Sequence, residues 1–249
     1  MSYLLDDIFE KLVVTDNTGK EYQLHSHTSR AQCAFMDEII REVRPETGLE
    51  VGLAYGISTL QILKSMAGVR EDFKHIVMDP YQHEWNDIGT LNVERSGYKD
   101  HVRFYSAPST VVLPKLDSEK TRIQFAYIDS TKVFDQLLVD VHYINSMMDV
   151  GGVLVLDDCD FPGIRLLARF LARHPSFKVL KGFSPDPVTM KSKIAGSVVT
   201  LWLKLMPFRG RKLSRLDVET DAHLGVAFKC IAFKKIKDDD RPWNWHKSF

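Results

Sequence analysis

Cysteine is scarce: Cys33, Cys159 and Cys230 are the only three in 249 residues. They are odd in number and scattered, and no C-x-x-C pair offers a zinc site. That excludes a disulfide framework and suits a reducing compartment, so a cytoplasmic location is expected. Long hydrophobic runs are missing too. The longest, 196–206, is broken by Lys204 and falls short of the roughly 18 residues that cross a bilayer. The first residues lack a basic stretch followed by an apolar run, so no secretory leader is expected. Charge of one sign is also absent, since 33 basic residues balance 33 acidic ones. That balance argues against a general nucleic-acid or membrane-surface binder. There is no repeat, no low-complexity tract and no G-x-G-x-x-G dinucleotide fingerprint.

What is present is ordinary globular material, with 44% hydrophobic and 27% charged residues. The length fits one α/β domain with room for an insertion. Apolar positions at helical spacing predict a helix over 3–14, then a turn at Asp16–Gly19. A stronger amphipathic helix is expected over 29–44, with Ser29 as N-cap and Pro45 just past its end. Beyond it strands and helices alternate. Strands are expected at 49–52, 75–78, 102–106, 125–128, 152–156 and 178–180, with helices between them. Continuous apolar runs such as Val153–Leu156 suit a parallel sheet buried on both faces. The alternation predicts a doubly wound α/β sandwich. One more strand is expected at 228–233, after a long stretch over about 185–224. That stretch holds three prolines and a basic run at 209–215, and reads as an insertion that packs over a cleft or forms a homo-oligomer contact.

The most informative segment is 49–59, Leu-Glu-Val-Gly-Leu-Ala-Tyr-Gly-Ile-Ser-Thr. It reads as a short strand, a glycine turn and the start of a helix near Ser58, an arrangement that places a nucleotide-like ligand against the helix N-terminus. The pattern E-x-G-x-x-x-G-x-S-T resembles the first motif of class I S-adenosylmethionine (SAM) methyltransferases. Its Ile40–Met66 surroundings are most similar to the catechol O-methyltransferase branch. The resemblance covers about residues 29–180. It implies a Rossmann-like, mostly parallel seven-stranded sheet whose last strand is antiparallel, with 1–249 forming one methyltransferase domain. It also implies cofactor contacts at Glu50, Gly52, Ala54, Gly56 and Ser58.

In open α/β sheets ligands lie beyond the C-terminal strand ends. After the second strand comes Asp79, placed to accept from ribose hydroxyls. After the third come Ser106 and Ala107, which resemble the segment facing the adenine, although Ser106 stands where the family has glycine. The fourth strand ends in Asp129-Ser130-Thr131-Lys132 and the fifth in Asp157-Asp158. Three carboxylates at one edge would repel unless a cation sits among them, and oxygen ligands suit Mg²⁺. Metal-dependent O-methyltransferases of the catechol and caffeoyl-CoA types are similar here, with Asn where this chain has Asp158; some sugar O-methyltransferases share the Asp-Asp pair. The resemblance thus implies Asp129, Asp157 and Asp158 as metal ligands, Asp129 also beside the cofactor, and Lys132 as general base. Asp160 and His142 are weaker candidates.

The resulting expectation is divalent-cation-dependent O-methylation of a small-molecule hydroxyl. Direct attack needs no covalent enzyme intermediate, so no Ser-His-Asp or Cys-His set is called for. Three alternatives stay open: a metal-free methyltransferase, a SAM-binding interaction module and a dinucleotide oxidoreductase. Capping and turn formation at strand ends would also explain the aspartates.

Overall fold

A computed structural model describes residues 3–185 and 220–247. The chain opens with α1 (Tyr3–Lys11), then β1 (Val13–Thr15) and β2 (Glu21–Gln23), which pair as an antiparallel hairpin. The expected helix over 3–14 therefore stops early. Asp16 is the reason: its carboxylate accepts from Thr18 N, Thr18 Oγ1, Lys20 N and the Tyr22 hydroxyl, and so builds the turn of a hairpin. These bonds to the charged form, led by Thr18, hold its pKa down at about 2. α2 (Arg30–Val43) begins with a capping box, in which Ser29 accepts from Gln32 N and the Gln32 side chain accepts from Ser29 N.

From there the predicted alternation holds. β3 (Thr47–Val51), α3 (Ile57–Ala67), β4 (Lys74–Met78), α4 (Ile88–Arg95) and β5 (Val102–Tyr105) form the first half. α5 (Ser109–Ser118), β6 (Ile123–Ile128), α6 (Phe134–Met147), β7 (Met148–Leu156), α7 (Pro162–Arg173) and β8 (Phe177–Phe183) follow. A four-residue α8 (Asp221–Leu224) precedes β9 (Cys230–Lys235). The sheet order is β5-β4-β3-β6-β7-β9-β8. All pairings are parallel except those of β9, which runs antiparallel between β7 and β8. The expected fold class is therefore correct, last strand included. Of the expected insertion, only Pro185 and residues 220–224 belong to the described residues; the rest, with the oligomer contact it suggested, lies outside them.

Two apolar layers sandwich the sheet. One joins Leu49, Ile76, Ile128 and Leu154 to α5, α6 and α7; the other joins Phe125, Tyr127 and Val155 to α2, α3 and the N-terminal Leu5, Ile8 and Val14. The residues before β3 are thus part of the core. Arg95 fastens the hairpin to α4 by donating to Thr15 O and Asp16 O. Among the described residues no helix is long and apolar enough to cross a membrane.

One core residue works against stability. Asp140 of α6 is fully buried, and burial pushes its pKa up to about 6, opposed by the Ser109 hydroxyl of α5. The folded pKa lies above the unfolded value, so folding carries no penalty below about pH 4 and loses stability as pH rises from 4 to 6. Asp140→Asn is therefore expected to stabilise the protein at pH 8 by up to about 2–3 kcal/mol and to leave it unchanged near pH 4. Urea denaturation at both pH values measures this; an equal effect at both would reject it.

Candidate active site

The parallel strands deliver their C-terminal ends to one edge, and the order reverses where β3 lies between β4 and β6. A crevice opens at such a switch point. Here it is a cleft of about 270 Å³, lined by Gly52–Ala54 after β3, Asp79–Tyr81 after β4, Pro108 and Ser109 after β5, and Asp129–Thr131 after β6. Val51, Met78, Trp85 and Gln136 complete it.

The glycine turn is set by close backbone approach. Gly52 has φ +100°, and a Cβ there would lie 2.1 Å from the Asp129 carbonyl oxygen. Gly56 has φ +80° and caps α3. Ala54 also adopts a left-handed conformation, with φ +48°. What holds the turn is Asp79, whose Oδ2 accepts from Leu53 N and Ala54 N, each at 3.0 Å, and from Gln82 Nε2. Its Oδ1 accepts from Tyr81 N at 2.7 Å, and a carboxylate oxygen with one donor has capacity for a second.

Glu50 does not face the cleft. It is fully buried behind the turn, accepting from Ser58 Oγ at 2.5 Å and Thr59 Oγ1 at 2.7 Å, with His75 Nε2 2.9 Å away. Glu50 and Ser58 thus shape the turn rather than project into the cleft. Ser58 does line a small cavity that shares Gly52, Leu53, Ala54 and Asp129 with the cleft and is roofed by Ser26, His27 and Thr28. That roof is pinned by aromatic packing: His25 lies against Tyr55 and Trp85, and its Nε2 is 3.1 Å from the Tyr55 hydroxyl. Near β5 the cleft is lined by Pro108 and Ser109, next to the expected Ser106 and Ala107.

The three aspartates do not converge. Asp157 is turned into the protein, where Oδ1 accepts from Gln32 Nε2, Asp158 N and Cys230 Sγ, and Oδ2 from Gln32 Nε2 and the Tyr127 hydroxyl. Burial, with Asp129 and Asp157 nearby, pushes the Tyr127 phenol well above its ordinary pKa, so it stays a donor. Asp129 and Asp158 do meet, but across Lys132, whose Nζ is 3.0 Å from each. Lys229 reaches Asp158 from the other side at 3.7 Å. Burial, opposed by Lys132 and assisted by Asp157, pushes Asp129 up to about 6.

These contacts bear on two expectations. Among the described residues no group of three His, Cys, Asp or Glu is turned toward one point, and the two carboxylates that do meet, Asp129 and Asp158, already share the Lys132 ammonium. The trio of ligands that the resemblance implied is therefore not assembled, because Asp157 is spent on buried donors. A general-base role for Lys132 needs a neutral amine. Burial would lower its pKa, but Asp129 and Asp158 outweigh burial and raise it, so the group is an ammonium at neutral pH. Asp160 lines a neighbouring cavity of about 380 Å³ with Cys159, Arg165, Phe228 and Lys229. His142 packs edge-on against Tyr143.

Sequence reading missed Gln32, Tyr127, Tyr55 and Trp85. For Gln32 a signal existed: Ser29-x-x-Gln32 is a capping-box spacing, which marks the residue though not its second bond to Asp157.

Comparison with known proteins agrees with this architecture. The chain is 25% identical over 157 residues to the O-methyltransferase hkm8 of Aspergillus hancockii, covering 63% of this chain and 60% of that protein. It is 26% identical over 155 residues to a rhamnosyl O-methyltransferase of Mycobacterium tuberculosis, covering 60% of this chain and 55% of that protein. Both matches thus span less than two thirds of the relative. Among solved structures, an O-methyltransferase from Bacillus cereus in complex with S-adenosylhomocysteine (SAH) superposes with a TM-score of 0.58 at 17% identity, over 72% of this chain and 83% of that one. Residues 49–159, which hold the glycine turn, Asp79 and both aspartate-bearing strand ends, match the family described as a methyltransferase domain, and the sheet around them has the methyltransferase fold.

Proposed function

We propose that the protein is a SAM-dependent O-methyltransferase acting on the hydroxyl of a small molecule. The observation that carries this reading is the cleft at the switch point, floored by the Gly52–Ala54 turn and bounded by Asp79. The sulfonium cofactor would lie with its methionine part along the turn and its ribose at Asp79 Oδ1. Pro108, beside Ala107, would flank the adenine. The acceptor would enter from the cavity beyond Asp158, lined by Cys159, Phe228 and Lys229. In the transfer the acceptor oxygen attacks the methyl carbon, the carbon–sulfur bond breaks with its electrons going to sulfur, and SAH leaves. The hydroxyl proton passes to the Asp129–Asp158 carboxylate pair. Holding two reactants in line is the main contribution asked of the protein.

Calorimetry with SAH tests the reading. Wild type is expected to bind, and Asp79→Ala to lose about 1–3 kcal/mol of affinity. Methyl transfer from labelled SAM to catechols, sugar hydroxyls and polyketide hydroxyls then identifies the acceptor. Wild type without SAH affinity would remove the methyltransferase reading and leave an interaction module.

A further inference from the structure

Two carboxylates at the top of a buried sheet call for a positive charge, and the chain supplies its own. Lys132 Nζ lies 3.0 Å from Asp129 Oδ1 and 3.0 Å from Asp158 Oδ2, both within range of charge-assisted hydrogen bonds. The Phe161 ring lies 5.9 Å from the same ammonium. The lysine is not a loose surface group, since its side chain is only 27% exposed. Its backbone is fixed as well: a Cβ on Gly163 would come 2.1 Å from the Lys132 carbonyl, so the first turn of α7 rests directly on this loop. Asp158 is oriented by its own backbone, at φ +53° with its N–H held by Asp157 Oδ1.

The charge balance is local. Asp129 and Asp158 are offset by Lys132 and by Lys229, 3.7 Å from Asp158. A divalent ion entering here would have to expel one ammonium and sit beside the other. It would find only two carboxylates, because both oxygens of Asp157 are taken by buried donors. With Lys132 in place, such an ion would have to compete with an ammonium for both carboxylates while facing two cationic neighbours.

We propose that the Lys132 ammonium is the resident cation of this site, standing where a divalent ion would otherwise sit, and that the protein holds its acceptor oxygen without a metal. The identity of the acceptor rests on the methyl-transfer reading; the cation rests on these contacts alone. An ammonium has three donors, so one remains for the acceptor oxygen after Asp129 and Asp158 are served.

The test is a Mn²⁺ titration of the full chain followed by electron paramagnetic resonance, with melting temperatures in Mg²⁺ and in EDTA. Wild type is expected to show no saturable Mn²⁺ binding up to about 1 mM, the weak end of carboxylate cation sites. Neither Mg²⁺ nor EDTA should move its melting temperature. Lys132→Arg, which keeps the charge, should behave like wild type. Lys132→Met leaves the carboxylates unbalanced and should melt lower and gain Mn²⁺ affinity. Saturable Mn²⁺ binding by wild type that Asp158→Asn abolishes would overturn the proposal, as would a Lys132→Met variant that melts and binds Mn²⁺ like wild type. SAH calorimetry on the same preparation separates the two questions: loss of SAH binding with the expected Mn²⁺ results would sink the methyl-transfer reading and leave the cation assignment standing.

Discussion

Asp157→Ala is expected to destabilise the protein by roughly 3–5 kcal/mol, because it strands three buried donors at once. The Gln32 amide, the Tyr127 hydroxyl and the Cys230 thiol all end on this carboxylate. Asp157 is 2% exposed and no cation pairs with it in the described residues; five hydrogen bonds stand in for the counter-charge. Gln32 belongs to α2, Tyr127 to β6 and Cys230 to β9, so the loss is felt in both the N-terminal layer and the sheet. Asp157→Asn keeps one accepting oxygen and is expected to cost about half as much. Urea midpoints for the two variants decide it. If Asp157→Ala unfolds at the wild-type midpoint, the carboxylate is not the anchor these contacts imply.

Gly52→Ala is expected to abolish SAH binding and to destabilise the fold by about 3 kcal/mol or more. A positive φ of 100° is a strained conformation for alanine, and the new methyl would meet a carbonyl oxygen at 2.1 Å. That oxygen belongs to Asp129, so relief of the clash must move either the turn or the end of β6. Both moves open the cleft. Calorimetry and thermal melting report the two effects separately. Gly19→Ala is the useful control, since its φ of 86° carries similar strain with no atom within 4 Å of the new Cβ. A Gly52→Ala variant no worse than Gly19→Ala would show that close approach to Asp129 is unimportant.

The sheet was legible in the sequence because period and punctuation agree there. Val153–Leu156 is a continuous apolar run, and every one of its side chains is buried. The hairpin was not legible, since Val13 and Val14 continue the helical spacing of α1, and only the fold of Asp16 around Lys20 N stops it. In the site, backbone demands could be read: Gly52 and Gly56 both have the positive φ that their spacing suggested. Side-chain direction could not. Asp157 and Asp158 are neighbours in sequence yet serve different partners, one bonded to buried Gln32 and the other paired with Lys132 in the loop after β6. The left-handed backbone at Asp158, φ +53°, accompanies that divergence, and no residue type in the sequence announces it. Lys132 is a similar case. Its position in D-x-x-K was plain, but its protonation depends on where the second carboxylate turns.

The placement of β9 bears on how the chain is made. β5, β4, β3, β6 and β7 are complete once residue 156 has left the ribosome, but among the described residues β8 pairs only with β9 and cannot join them yet. Until residues 230–235 emerge, β7 presents Val153–Leu156 along an open edge, and such edges recruit other strands. The newborn protein therefore carries an open apolar edge for the whole time needed to synthesise the stretch from 157 to 229, and the last strand inserts between two waiting neighbours to close it.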